Sequence, residues 1–258
     1  MNRSSSLKSG SLVILLSLIV AAPATADPLH DIKEVRHFAE EVVIGPKPGA
    51  RLVKWTEAPV IRLETLKAGP HDSVGKITTI PTETSMLHYN ALQEHIADLA
   101  LMTGMPMRLM PRDFGSGGDI VITIVPRQAM STVPFPGVPA KMLNDLMGPS
   151  RCFFVIWPNP DWAIARAQIV INSLLDDIHI KHCLLEELTQ SLGLPNDSDR
   201  LRPSVFNESA MLTVLSGLDR LLIRTVYDPR ISKGLSLGAF RERADAVIAG
   251  YLKRPDPD

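Results

Sequence analysis

An α+β fold is the architecture this sequence predicts, and three observations predict it. The run Asp119-Ile120-Val121-Ile122-Thr123-Ile124-Val125 is rich in β-branched residues and reads as a strand. Two stretches, Thr82 to Thr103 and Ile180 to Leu192, repeat their apolar residues at helical spacing. Along the chain the order is helix, strands, helix, helix, which argues for helices packed on a sheet in one α+β unit.

The elements follow in order. A short helix is predicted from Asp31 to about Val43, broken by Gly45-Pro46 and Pro48-Gly49. Leu52 to Trp55 and Val60 to Leu63 alternate apolar and polar residues and read as extended. In the stretch from Thr82 to Thr103, Leu87, Leu92, Ile96, Leu99 and Met102 form the apolar stripe, Thr82 or Thr84 supplies a cap, and Gly104 with Pro106 ends the helix. Gly115 to Gly118 is a loop ahead of the β-branched strand. The proline-rich stretch from Pro126 to Pro149 is loop with one short helix near Lys141 to Met147. Cys152 to Trp157 and Ala167 to Ile171 read as two strands joined through Pro158-Asn159-Pro160-Asp161 as an antiparallel hairpin or a near relative of one. The helix from Ile180 to Leu192 stops at Gly193, with Pro195 behind it. A last major helix begins at Ser216 with a capping box to Asp219 and runs to Tyr227.

Composition sets the surroundings. Arg3 and Lys8 precede an apolar run from Leu12 to Ala22 and then Ala24-Thr25-Ala26, the order of a secretory signal peptide over residues 1–26. The run is shorter than the about twenty apolar residues a bilayer span requires, so cleavage after Ala26 is expected rather than an uncleaved anchor. No cysteine near that junction invites lipidation, and nothing later is long and apolar enough to cross a membrane. The expected mature chain, 27–258, has about 230 residues, and without a Gly/Ser linker or a repeat it is read as one domain. The 27 basic and 28 acidic residues nearly balance, and no basic run interleaves with aromatics, so a nucleic-acid partner is not expected. Export predicts a periplasmic or secreted protein. There the two cysteines, Cys152 and Cys183, are expected to pair as a disulfide, the alternative being a reactive Cys183 thiolate near a helix start.

The segment that can carry chemistry is the helix from Ile180 to Leu192. Leu184, Leu188 and Leu192 back one face, leaving His182, Glu186, Thr189 and Gln190 opposite, with Glu187 at the edge. Residues four apart stack on one side, so Glu186 and Gln190 point at a common spot. The word Glu186-Glu187-Leu188-Thr189-Gln190, with Gly193 and then Asn196, resembles the zinc helix and glycine turn of metzincin peptidases. That resemblance implies a zincin-like mixed sheet with a long N-terminal helix, a central site helix and a C-terminal helix. The strand from Asp119, the edge-like strand from Ala167 and the helix from Thr82 fall in zincin order. It also puts the catalytic glutamate at Glu187 and the metal ligands at Glu186, Gln190 and Asn196, where all three histidines are missing. Ser204-Val205-Phe206 is similar to the turn that carries a methionine beneath the metal, with Phe206 in the methionine's place.

A closer resemblance covers Cys183 to Asp197, Ser204 to Asn207, Leu218 to Arg224 and Tyr227 to Arg230. Through these words the chain is identified as a member of the bacterial domain-of-unknown-function family 2927, specifically over 152–238 and more loosely upstream. The family implies export and carries no established activity.

Two functions stand open. In the first, the scaffold is a non-catalytic binding or envelope module without a cofactor. Gln190 and Asn196 then hydrogen-bond the turn, Glu186 meets an arginine such as Arg202, Arg220 or Arg224, and the cleft takes a peptide or cell-envelope fragment as an added strand. In the second it is a hydrolase with Glu187 as general base and Glu186 and Gln190 as polar partners. This reading runs either on the carboxylates alone or on a divalent metal held by Glu186, Gln190 and Asn196, or by His179, His182 and Glu186. One carboxylate and two amides suit zinc poorly. His88 and His95 are read as surface residues. The Gly115 to Gly118 loop lacks the Lys-Ser or Lys-Thr of a phosphate loop, and Ser204 and Ser209 lack a nucleophile signature.

Overall fold

Asp31 accepts hydrogen bonds from the Lys33 and Glu34 amides and so starts α1 (Ile32–Val43), which buries Val35, Phe38, Ala39, Val42 and Val43. The structure, a computed structural model, describes residues 31–112, 115–148, 150–207 and 209–253; the expected signal segment lies outside them. Leu52 to Trp55 makes only isolated bridges, Arg51 to Ser236 and Lys54 to Ala163, and is not the strand its alternation suggests. Leu52, Val53 and Trp55 are instead buried against the helices, each by its own packing.

Strand β1 (Val60–His71) turns into the antiparallel β2 (Ile77–Thr82). Ser85 rather than either threonine caps α2 (Met86–Thr103), and Gly104, at φ 69°, closes it in the left-handed conformation. The short β3 (Arg108–Leu109) and then β4 (Ile120–Val125) pair parallel with β1. A 3-10 turn over Arg127–Thr132 and α3 (Ala140–Met147) lead to β5 (Cys152–Pro158), which pairs antiparallel with β6 (Ile164–Asn172). Three helices complete the chain: α4 (Asp177–Ser191), α5 (Gly217–Tyr227) and α6 (Leu237–Leu252).

The mixed sheet has the order β2-β1-β4-β6-β5, parallel at its centre and antiparallel at both margins. All six residues of β4 are buried, as a central strand covered on both faces requires. Ile61, Leu63, Ile120, Ile122, Ile124, Ile169 and Ile171 face α1, α2, α4, α5 and α6 in the main core. Val125, Val170, Phe153 and Val155 face the other way, under the 3-10 turn and Phe135, in a smaller core. The strand from Ala167 is therefore internal, because β6 pairs with β4 on one side and β5 on the other; the edge is β5. No helix among the described residues is long and apolar enough to cross a membrane.

Candidate functional site

Asp176 caps α4 by accepting from the His179 amide, and the helix then runs beneath β5 and β6 and beside α2. It is buried almost all round. Leu184, Leu185 and Leu188 enter the main core, while His182, Glu186, Glu187, Thr189 and Gln190 are also buried, so its polar side is an interior surface. Two aromatic donors close the far end: the Trp55 indole N–H donates to the Ser191 carbonyl at 3.1 Å, and the Tyr227 hydroxyl donates to that of Leu192. Gly193 turns the chain at φ 108°, and a Cβ there would collide with the Val53 carbonyl oxygen.

On the polar side, His182 Nδ1 lies 2.8 Å from the Leu212 carbonyl and Nε2 lies 3.2 Å from Glu186 Oε2. Burial pulls the His182 pKa down, but the Glu186 carboxylate and the Leu212 carbonyl outweigh it, and the net direction is up. The shift favours the imidazolium form of His182 facing Glu186. The partner of Glu186 is this histidine and not an arginine: Arg220 makes a bidentate pair with Asp98, and Arg224 sits over the Tyr251 ring.

One turn on, the Gln190 amide donates to Asp197, and the Asn196 amide donates to the Val42 carbonyl at 3.2 Å. Glu187 is 5 % exposed, and its carboxyl has no hydrogen-bond partner among the described residues. Burial first, and then the charges of Glu186 and Asp197, push its pKa well above the ordinary value, which favours the protonated form.

The residues at the zinc-ligand positions do not fit zinc. Glu186 is engaged by His182, Gln190 turns its N–H to Asp197, and Asn196 faces α1, so no three donors converge. The alternative set fails as well, because His179 turns back to the helix cap, its Nδ1 against Asp176, while His182 and Glu186 face each other. His88 and His95 are buried rather than on the surface: His88 pairs with Asp177 at 2.9 Å across the α2–α4 contact, and His95 Nε2 is a buried nitrogen without a partner among the described residues. Their seven-residue spacing points both at α4, which α2 packs against.

The cysteines are joined. Cys152 at the start of β5 and Cys183 on α4 form a disulfide with Cα atoms 6.0 Å apart, clamping helix to sheet edge. Cys152 Sγ and one oxygen from each of Glu186 and Glu187 lie within 4.8 Å of one another. Proximity of the disulfide to the two glutamates follows from helical spacing, since Cys183 precedes them by three and four residues. Downstream, Ser204-Val205-Phe206 is a buried turn held by Asp219, which accepts from the Ser204 hydroxyl at 2.6 Å and from the Val205 amide, while Phe206 enters the main core.

At β5, the Asn172 amide donates to the Arg151 carbonyl, which fixes Phe153, Val155 and Trp157 as the residues bonded to β6. Cys152, Phe154 and Ile156 therefore turn their backbone N–H and C=O groups outward, along the free margin of the sheet.

No curated protein matches the chain. A family model described as Protein of unknown function (DUF2927) matches residues 38–244, reaching back through β1 and α2 to α1, far upstream of the 152–238 that carried the resemblance. With most of its 258 residues matched, the chain belongs to the DUF2927 family.

Proposed function

We propose that this is an exported, zincin-like protein that binds rather than cleaves, its peptidase centre converted into a closed polar core. The carrying observation is the fate of the three ligand positions: Glu186, Gln190 and Asn196 each spend their polar groups on the protein itself. The sheet order, with β5 an antiparallel margin beside the helix bearing the Glu-Glu word, supports the zincin ancestry. The disulfide suits an oxidising compartment. The ligand is an extended peptide or a peptide-bearing envelope fragment, taken along the outward backbone groups of Cys152, Phe154 and Ile156.

Elemental analysis of the oxidised protein, purified without chelator, tests the first half: it should carry no stoichiometric divalent metal. A bound metal lost in Glu186→Ala overturns the reading. Hydrogen exchange tests the second half, since peptide binding should slow the amides of Phe154 and Ile156. A carboxylate-based hydrolase is the second reading, favoured by the unpaired Glu187 carboxyl beside Glu186. Glu187→Gln separates the two, abolishing turnover in a hydrolase and leaving peptide binding intact in a binder.

A further inference from the structure

The disulfide and the two glutamates form a cluster that the binding reading does not use. Cys152 Sγ, a Glu186 oxygen and a Glu187 oxygen lie within 4.8 Å of one another, and Cys183 Sγ is bonded to the first of these. Three donor atoms thus converge, one sulfur and two carboxyl oxygens, and the second sulfur is bonded to the first; Cys183, Glu186 and Glu187 stand on one side of α4. A second observation points to a ligand at the same place: the Glu187 carboxyl is 95 % or so withdrawn from solvent (5 % exposed) and has no hydrogen-bond partner among the described residues.

We infer that the reduced chain holds a zinc ion between Cys152, Cys183, Glu186 and Glu187, a site that the disulfide closes in the oxidised chain. Thiolate and carboxylate are both zinc ligands, at about 2.3 Å and about 2.0–2.2 Å, so tetrahedral donors stand about 3.5 Å apart. His182 supplies the outer support such a ligand needs: it contacts Glu186 at 3.2 Å and is itself anchored on the Leu212 carbonyl at 2.8 Å, which fixes the direction of the carboxylate.

The chemistry balances with a dithiol reductant. One thiolate of the reductant attacks Cys152 Sγ, the partly exposed sulfur, and the Cys152–Cys183 bond breaks, its electron pair leaving on buried Cys183. The reductant's second thiol resolves the mixed disulfide, leaving two protein thiols and an oxidised reductant. Zinc then displaces the thiol protons to the solvent as it binds.

Cobalt replaces zinc as the probe. The full mature chain, reduced with a phosphine, is titrated with cobalt(II) and followed by thiolate-to-cobalt charge-transfer absorption, with circular dichroism recorded on the same samples. The reduced protein should take up one cobalt per chain with that band, and zinc should displace it; the oxidised protein should show no band. Glu186→Gln and Glu187→Gln should each weaken cobalt binding about tenfold or more, and Cys152→Ser should abolish the band. Affinity unchanged from the parent in both glutamine variants means the cysteines alone bind metal and overturns the site. So does a reduced chain that shows no band, or one that loses its native dichroism and does not regain it on adding zinc.

Discussion

Glu187 concentrates the residue-scale physics. In an unfolded chain a glutamate releases its proton near 4.5, whereas burial and two carboxylate neighbours make the folded chain hold it to higher pH. The folded state then binds the extra proton, so this group's contribution to stability is complete below 4.5 and is lost as pH rises through the folded value. Glu187→Gln should flatten that decline, outlasting the parent above neutral pH by about 1 kcal/mol in urea unfolding, while the two converge in acid. Gly193 makes a different kind of demand. With φ at 108° and the Val53 carbonyl where a Cβ would stand, Gly193→Ala should cost about 3 kcal/mol or more, read as a lower urea midpoint. The glycine turn was legible in the sequence because only glycine fits such a bend ahead of Pro195. The histidine partner of Glu186 was legible only as a spacing: His182 and Glu186 stand four apart, but that both are buried, and so seek each other rather than an arginine, depends on the packing of β5 and α2 over the helix.

At the scale of elements, periodicity carried the reading wherever one face of an element alone is apolar. The capping box at Ser216 is present with both of its bonds, Ser216 to the Asp219 amide and Asp219 to the Ser216 amide, and α5 starts there as its spacing predicts. Helix α6 escaped notice because alanine and glycine dilute its stripe, although Phe240, Ala244, Val247 and Ile248 are buried at helical intervals. The outer half of β1 and all of β2 escaped for the opposite reason: Lys67 to Ile80 is a solvated hairpin whose strands bury little and so show no alternation. The disulfide joins two elements that were each read correctly. It closes a separation of 31 residues, and replacing both cysteines by serine should lower stability by about 3–4 kcal/mol in the chain-entropy account, measured as a drop in urea midpoint.

Across the whole molecule, α1, α2, α4, α5 and α6 gather on one face of the sheet while α3 and the 3-10 turn lie on the other, and the N-terminal and C-terminal halves are tied by contacts that no local pattern announces. Arg241 grips buried Glu40 through two 2.8 Å bonds, joining α6 to α1. Lys54 reaches from the segment before β1 to the Val226 and Ile231 carbonyls at the end of α5. Burial lowers the Lys54 pKa to about 8, against the upward pull of Asp228, so between about 8 and 10.5 the unfolded chain binds a proton that the folded chain does not. Lys54 therefore adds stability as pH rises across that window. Lys54→Met should lack the rise, so the difference in urea midpoint between parent and variant should change with pH only there.

The indole of Trp55 is buried and bonded to the last carbonyl of α4, Trp157 is half-buried on β5 and Trp162 is on the surface. With Trp157 and Trp162 replaced by phenylalanine, the fluorescence of Trp55 is an optical gauge of the end of the helix that carries the two glutamates. Occupancy of the margin beside that helix, or opening of its sulfur clamp, becomes visible as a change in emission colour, in the unlabelled protein and in real time.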